Sequence, residues 1–376
     1  MPLLVQVSLH YRPIGGGQEV YIANLSRIVA AAGWETRVIQ PYRGETGADT
    51  ATVPRIPGVA RLLPSFDEWQ FACFAPMTRA ALLNCADVIL CHYAATAALI
   101  GRVPRWRRKT LVLSHGVEWN VDRMNLHDRI RERNARRLFG ASTTVANDTD
   151  YLRRMGMSLP PGEGLFSEVA PGIWCIPNCV DTTHFRPEKT PAERNLDRPV
   201  ILVPRQICED RGIHLAIDAF ALLALRRPGA KLLVTGPCRD AKYLKYCRSL
   251  VAHHGLMSRV QFTPPVMNED MDKLYRAADV TLIPTLRREG TSLSALESMA
   301  SGTPVVVTDV AGLRDLPAFR VAPTPTALAD GLDAVLSNRT AEADRQGQQV
   351  RSQFNFETWA AAWVKVLDGR MDRRRA

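Results

Sequence analysis

Short apolar runs rich in β-branched residues recur along the chain, each followed by a helical stretch, and they fall into two sets. The first set is LVQVSL (4–9), TRVIQP (36–41), DVILCH (87–92), KTLVLSH (109–115), STTVAN (142–147) and IWCIPN (173–178). The second is VILVPR (200–205), KLLVTG (231–236), VQFTPP (260–265), VTLIPT (280–285) and PVVVTD (304–309). Continuous apolar strands alternating with helices demand a parallel sheet covered on both faces. The polar, proline-containing segment 181–199 divides the sets. The expected fold is therefore α/β, with two doubly wound Rossmann-like domains facing an interdomain cleft. A length of 376 residues fits two domains at about 150 residues each.

Expected boundaries are 1–182 for the first domain, 183–352 for the second, and 353–376 for a last helix with a basic tail. In that helix Phe356, Trp359, Ala360, Trp363, Val366 and Leu367 form one apolar stripe. Periodicity does not say which domain the stripe docks on; the expectation is that the helix packs back on the first domain. No apolar run approaches the about 18 residues that span a bilayer. The opening MPLLVQVSLHYRP has no basic leader and reads as a first strand. A cytoplasmic protein is expected, and the eight scattered cysteines, with no CxxC pair, read as reduced, buried thiols. Cys175, Cys179 and His184 lack an evident fourth ligand for a zinc site.

The net charge of +10 is concentrated. Residues 102–137 hold eleven Lys/Arg against four acids, and 365–376 hold five against two. Such segments suit an anionic substrate or an anionic membrane surface, where Trp106 of RVPRWRRK could sit among headgroups. No nucleic-acid-binding signature accompanies them, so nucleic acid is not expected as a partner.

Ligands of doubly wound sheets bind beyond the carboxyl ends of the strands, and four segments there carry chemistry. RPIGGGQE (12–19) is a glycine-rich turn into a helix, without the GxGxxG spacing of dinucleotide enzymes. SHGVEWN (114–120) sets His115 at a strand end. Arg205 ends a strand, and Arg211 precedes a helix, a pairing suited to a diphosphate. VTLIPTLRREGTSLSALESMASGTPVVVTD (280–309) places Glu289 on a loop and Glu297 eight residues on, expected in the first turn of a helix. Both carboxylates could then face one ligand, with the amides of 290–293 aimed at its phosphates. The DxD sequences at Asp148–Asp150 and Asp270–Asp272 precede apolar-periodic helices and are expected to cap them.

Together these residues resemble glycosyltransferase family 4, retaining enzymes of GT-B architecture with an EX7E motif. The resemblance rests on Glu289 and Glu297 followed by MASGTPVV, on Gly16-Gly17-Gln18-Glu19, on IPNCVD (176–181), on VTGP (234–237) and on ADVTLIPT (278–285). It implies a hexosyl transfer from a nucleotide-diphosphate sugar to an acceptor hydroxyl, on a lipid-linked, glycan or small glycoside acceptor, without a metal or other cofactor. His115, Glu289, Arg205 and Arg211 would be catalytic. Gly16, Gly17, Gly236, Gly290, Thr291, Ser292, Leu293 and Glu297 would bind the donor, Glu289 through its sugar hydroxyls and Glu297 through the ribose. Arg211 stands where the family has lysine, EGTSL replaces EGFGL, and Cys179 replaces a glycine. A GT-B enzyme of another type, a phosphorylase or sugar-nucleotide epimerase, and a non-catalytic sugar-nucleotide or anionic-polymer binder are the alternatives.

Overall fold

The computed structural model describes the chain except residues 15, 43–44, 55–65, 120–123, 189–195 and 376. Gly15 of the glycine turn, Asn120, Asp122 and Arg123 therefore lie outside the described residues, as do the side chains of 66 and 372–375. The chain divides into two compact units, Met1–Pro177 with Glu357–Ala376, and Asn178–Phe356.

The N-terminal unit contains β1 (Leu3–Val7), β2 (Glu35–Pro41), β3 (Thr50–Val53), β4 (Val88–Cys91), β5 (Thr110–Ser114), β6 (Thr143–Ala146), β7 (Ser167–Ala170) and β8 (Ile173–Cys175). They form one sheet in the order β3-β2-β1-β4-β5-β6-β8-β7. All neighbours are parallel except β7 with β8. The C-terminal unit contains β9 (Val200–Pro204), β10 (Lys231–Thr235), β11 (Val260–Thr263), β12 (Val280–Ile283), β13 (Val305–Thr308) and β14 (Phe319–Val321). Its sheet is wholly parallel, in the order β11-β10-β9-β12-β13-β14. Among its parallel strands each unit thus has one point where the strand order reverses, between β1 and β4 and between β9 and β12. There the flanking loops part and a ligand can reach the carboxyl ends of the strands.

The central strands obey the pattern that identifies them. Every residue of Val88–Cys91, Val280–Ile283 and Val305–Thr308 is buried, because helices cover both faces. The sequence pattern misses β3, β7 and β14. All three are short and largely half-buried sheet edges, so they need no apolar run.

The last helix, Phe356–Arg375, sends its tryptophan stripe into the N-terminal unit. Trp359 and Trp363 are fully buried. The Trp363 Nε1 donates to the Tyr21 hydroxyl at 3.0 Å, and the Trp359 ring meets the Tyr21 ring edge-on at 5.0 Å. The guanidinium of Arg370 also donates to the Thr110 carbonyl at 2.9 Å, which seats the helix on the start of β5.

Trp106 requires a correction. The short helix Pro104–Arg107 turns it inward, where it is 4% exposed and donates from Nε1 to Asn84 Oδ1 at 2.8 Å. An indole that is already packed and hydrogen-bonded is not available to a headgroup layer. Lys109 is likewise engaged, donating to the carbonyls of Asn84 and Ala86 at 2.8 and 2.6 Å. Arg102, Arg105, Arg107 and Arg108 stay exposed. The uniform burial expected of the thiols also fails: Cys91, Cys175, Cys179 and Cys247 are buried, whereas Cys73, Cys85 and Cys238 are exposed. Among the described residues, no helix is long and apolar enough to cross a membrane.

Candidate active site

In the C-terminal unit the chemistry gathers past β9 and β12. Arg205 directly follows β9 and is 8% exposed. Its guanidinium reaches Glu289 Oε2, and it donates to Thr285 Oγ1 at 3.2 Å and Ser292 Oγ at 3.4 Å. Arg211 NH1 reaches the same Glu289 oxygen and the Arg288 carbonyl, the latter at 3.3 Å. Thr285 donates its hydroxyl to that oxygen too, at 3.1 Å. Burial alone would raise the Glu289 carboxyl pKa, but the charges of Arg205 and Arg211 outweigh it and hold the group below the usual carboxylate range. Arg205 Nε is buried and has no partner among the described residues. The result is a preorganised pair of cations held by one acid.

Two glycines make this packing possible. Gly236 has φ +145°, and a Cβ there would lie 2.3 Å from the Arg205 carbonyl oxygen. Gly212 has φ +69°, and a Cβ there would lie 1.9 Å from the Pro284 carbonyl oxygen. Gly236, expected to serve the donor, thus also fixes the backbone of Arg205. Gly212 does the same for the approach of the Arg211 turn to the end of β12.

The loop carrying Gly290 leads into the helix Leu293–Ala300, with Ser292 at its N-cap. Ser292 makes no side-chain cap bond, and its hydroxyl faces Arg205 instead. Thr291 is committed to the protein: its Oγ1 accepts from the Asn178 amide at 2.7 Å, and its carbonyl accepts from Asn178 Nδ2. Its side chain therefore pins the loop. Glu297 lies in the second turn of the helix, one turn later than expected, because the helix begins only at Leu293. It accepts from the Tyr275 hydroxyl at 2.8 Å, and burial pushes its pKa up to about 7 against that favourable bond. The two acids of the motif thus have different partners: Glu289 is an ionised clamp for arginines, and Glu297 is a buried acceptor beside a phenol. Sequence reasoning gave Thr285, Tyr275 and Asn178 no role, although Thr285 lies within the 280–309 segment and Asn178 within IPNCVD (176–181).

In the N-terminal unit Gly16 is the N-cap and Gly17 the first residue of the helix Gly17–Ala31. A Cβ on Gly16 would lie 2.5 Å from Glu19 Oε2, so its glycine character makes room for an acid at the helix start. Gln18 is tied down on both sides, donating to Ser8 Oγ at 3.0 Å and accepting from the Tyr93 hydroxyl at 2.8 Å. His115 follows β5. Its Nε2 lies 2.9 Å from Nδ1 of His92, the residue after β4. His92 Nε2 in turn lies 3.1 Å from Gln6 Oε1 on β1. Burial lowers the His115 pKa to about 4 and holds His92 well below the usual histidine range. The Tyr21 ring stands edge-on to His115 at 5.0 Å. Sequence reasoning missed His92, although its place directly after an apolar strand gave the same signal that selected His115. Nearby, burial and the Glu68 charge raise the Glu118 carboxyl pKa to about 8, with Arg131 opposing.

Of the DxD sequences, Asp148 caps the helix Thr149–Arg154, accepting from the Tyr151 amide at 2.7 Å. Asp270 makes no cap bond, which corrects that expectation, and pairs instead with Lys273 at 2.6 Å. Among the described residues no group of three or more His, Cys, Asp or Glu is arranged to hold a metal ion.

The family description "Glycosyltransferase Family 4" matches residues 15–158, and "Glycosyl transferases group 1" matches residues 185–353. The D-inositol 3-phosphate glycosyltransferase of Acidothermus cellulolyticus is 27% identical over 345 residues, 82% of this chain and 76% of that one. The mannosylfructose-phosphate synthase of Agrobacterium fabrum is 38% identical over 119 residues, 30% of this chain and 26% of its own. Among solved structures, the sucrose-phosphate synthase of Thermosynechococcus elongatus superposes with a TM-score of 0.76 at 21% identity, covering 98% of this chain and 99% of its own. HepE of Anabaena, solved with UDP and glucose, gives a TM-score of 0.73 at 16% identity, covering 98% of this chain and 100% of its own. With both of its units matched in this way, the chain belongs to the family 4 glycosyltransferases and has their two Rossmann-like GT-B domains.

Proposed function

We propose that the protein is a retaining, metal-independent hexosyltransferase that uses a nucleotide-diphosphate sugar as donor. The observation that carries this reading is the convergence of Arg205 and Arg211 on Glu289 at the carboxyl ends of β9 and β12. In the reaction the anomeric carbon loses its bond to the diphosphate and gains one to the acceptor oxygen on the same face. The acceptor proton passes to a departing phosphate oxygen. Negative charge grows on the leaving diphosphate, and two cations already fixed in place stabilise it without reorganising. Gly290, Ser292 and Leu293 add amides at a helix start, and Glu297 takes the ribose. Glu289 has one carboxylate oxygen on the arginines and the other for sugar hydroxyls.

The acceptor half of the reaction is assigned to the N-terminal unit, around Gly16, Gly17 and His115. Its basic excess favours an anionic acceptor, in keeping with the phosphorylated compounds in the names of several relatives. Exposed Arg102, Arg105, Arg107 and Arg108 support peripheral contact with an anionic membrane at its cytoplasmic face, by charge alone now that Trp106 is internal. The test is a panel of UDP-, GDP-, ADP- and dTDP-sugars incubated with the protein in EDTA. Release of nucleotide diphosphate from one of them, at the rate seen with added Mg²⁺, supports the reading. Tight binding with no release would assign a binding protein, and a requirement for metal would remove the arginine account.

A further inference from the structure

Four polar groups of the N-terminal unit, Gln6 and His92 fully buried and Ser26 and His115 half-buried, form a single hydrogen-bonded line ending at His115. Gln6, on β1, donates from Nε2 to Ser26 Oγ at 2.8 Å. This leaves its Oε1 toward His92 Nε2, at 3.1 Å. An amide oxygen only accepts, so His92 Nε2 carries a proton. His92 is fully buried, and burial keeps it neutral, so that proton is its only one and its Nδ1 is a lone pair. Nδ1 faces His115 Nε2 at 2.9 Å, which must then donate. His115 is also held neutral, so its remaining nitrogen, Nδ1, is an acceptor, and it makes no hydrogen bond to the described residues. The ring cannot easily turn, since Tyr21 packs edge-on against it and is itself held by Trp359 and Trp363.

We propose that His92 is a positioning residue that, through Gln6, fixes His115 in the Nε2–H tautomer, so that His115 presents its Nδ1 lone pair to a substrate hydroxyl. The substrate half of this statement rests on the glycosyl-transfer reading, whereas the tautomer half does not. A neutral imidazole with a defined lone pair binds a sugar hydroxyl by accepting its proton, and the wrong tautomer would offer a second donor instead.

The test is nitrogen NMR of the full chain with ¹⁵N-labelled histidine near pH 7.5, the two histidines being assigned from His92→Leu and His115→Asn spectra. The expected result is two neutral rings, both protonated at Nε2. A proton on Nδ1 of His115 overturns the proposal, and this reading needs no substrate to be known. With the donor and acceptor in hand, His92→Leu should lower kcat roughly 10- to 100-fold, the scale for losing the partner that orients a functional imidazole. The donor KM should change little, and His115 should show both tautomers. His92→Asn, whose side-chain oxygen can occupy the place of Nδ1, should recover part of the rate. Full kcat in His92→Leu with an unchanged His115 spectrum would contradict the assignment. Absence of turnover in every form, with the expected tautomers, would fault the glycosyl-transfer reading and leave the positioning intact.

Discussion

Arg205 and Glu289, 84 residues apart in sequence, form a nearly buried ion pair whose acidic oxygen also receives Arg211 and Thr285. The pair couples the end of β9 to the loop after β12. Breaking it from either side leaves an uncompensated charge in a site with little water to screen it.

The two sides of the pair should differ in a measurable way. Arg205→Ala should cost about 10²-fold or more in kcat, the scale for removing one preorganised charge. Glu289→Gln should lower turnover comparably yet bind the nucleotide diphosphate alone more tightly than the parent, because two cations lose their internal anion. Steady-state kinetics and calorimetric titration with the matching nucleotide diphosphate check this. Weaker nucleotide binding by Glu289→Gln would show that the acid positions the arginines rather than competing with a phosphate for them.

Gly236 offers a way to disturb Arg205 through the backbone rather than through its own side chain. A methyl group there would meet the Arg205 carbonyl at 2.3 Å with φ at +145°. Gly236→Ala should therefore reduce both stability and kcat, by more than the about 1 kcal/mol of an ordinary glycine replacement. A variant with parental melting temperature and parental rate would mean that this backbone approach is unimportant.

Glu297 gives a pH-dependent signature. Its pKa is raised to about 7, so the folded chain keeps a proton that the unfolded chain releases near its ordinary value of 4.5. Stability from this group consequently falls as pH rises from about 4.5 to about 7. Glu297→Gln keeps an acceptor for Tyr275 and cannot ionise. Its melting temperature should match the parent near pH 4.5 and exceed it near pH 8, while donor affinity drops. A gap that does not widen across that range would contradict the burial argument.

The last helix should be indispensable to the N-terminal unit. Trp359→Ala removes a fully buried indole and should cost about 3–5 kcal/mol. Trp363→Phe removes chiefly the bond to Tyr21 and should cost about 1 kcal/mol. Denaturant melts following a probe in the N-terminal unit would read these losses. Equal, small effects would mean that the stripe is only loosely docked.

Replacing Arg105, Arg107 and Arg108 by Ser should reduce binding to anionic liposomes, and raised salt should do the same to the parent. Co-sedimentation with vesicles containing phosphatidylserine measures it. Unchanged binding would make this a solvated face.

The fold was legible where the physics is periodic. Strands such as Val88–Cys91 are covered on both faces, so their pattern is unbroken, and helix starts are marked by Gly16 and Gly212. Edge strands like Phe319–Val321 carry no such mark, because one flank meets water. Arg205, Arg211 and Glu289 could be chosen from their places at strand ends, and the structure brings them onto one oxygen. Their supports could not be chosen in this way. Tyr275 reaches Glu297 across 22 positions, and Asn178 reaches Thr291 across 113, distances over which no local pattern reports. Trp106 misled because an aromatic among arginines has the composition of a membrane contact, whereas it packs into the core of the N-terminal unit and bonds Asn84 on a neighbouring helix.

The most direct test of the central claim is the anomeric configuration of the product, followed by proton NMR from the first turnovers with the sugar nucleotide that the panel selects. A product whose anomeric configuration equals that of the donor, formed in step with free nucleotide diphosphate, is the expected result. An inverted product, or sugar transfer without nucleotide diphosphate release, would contradict it.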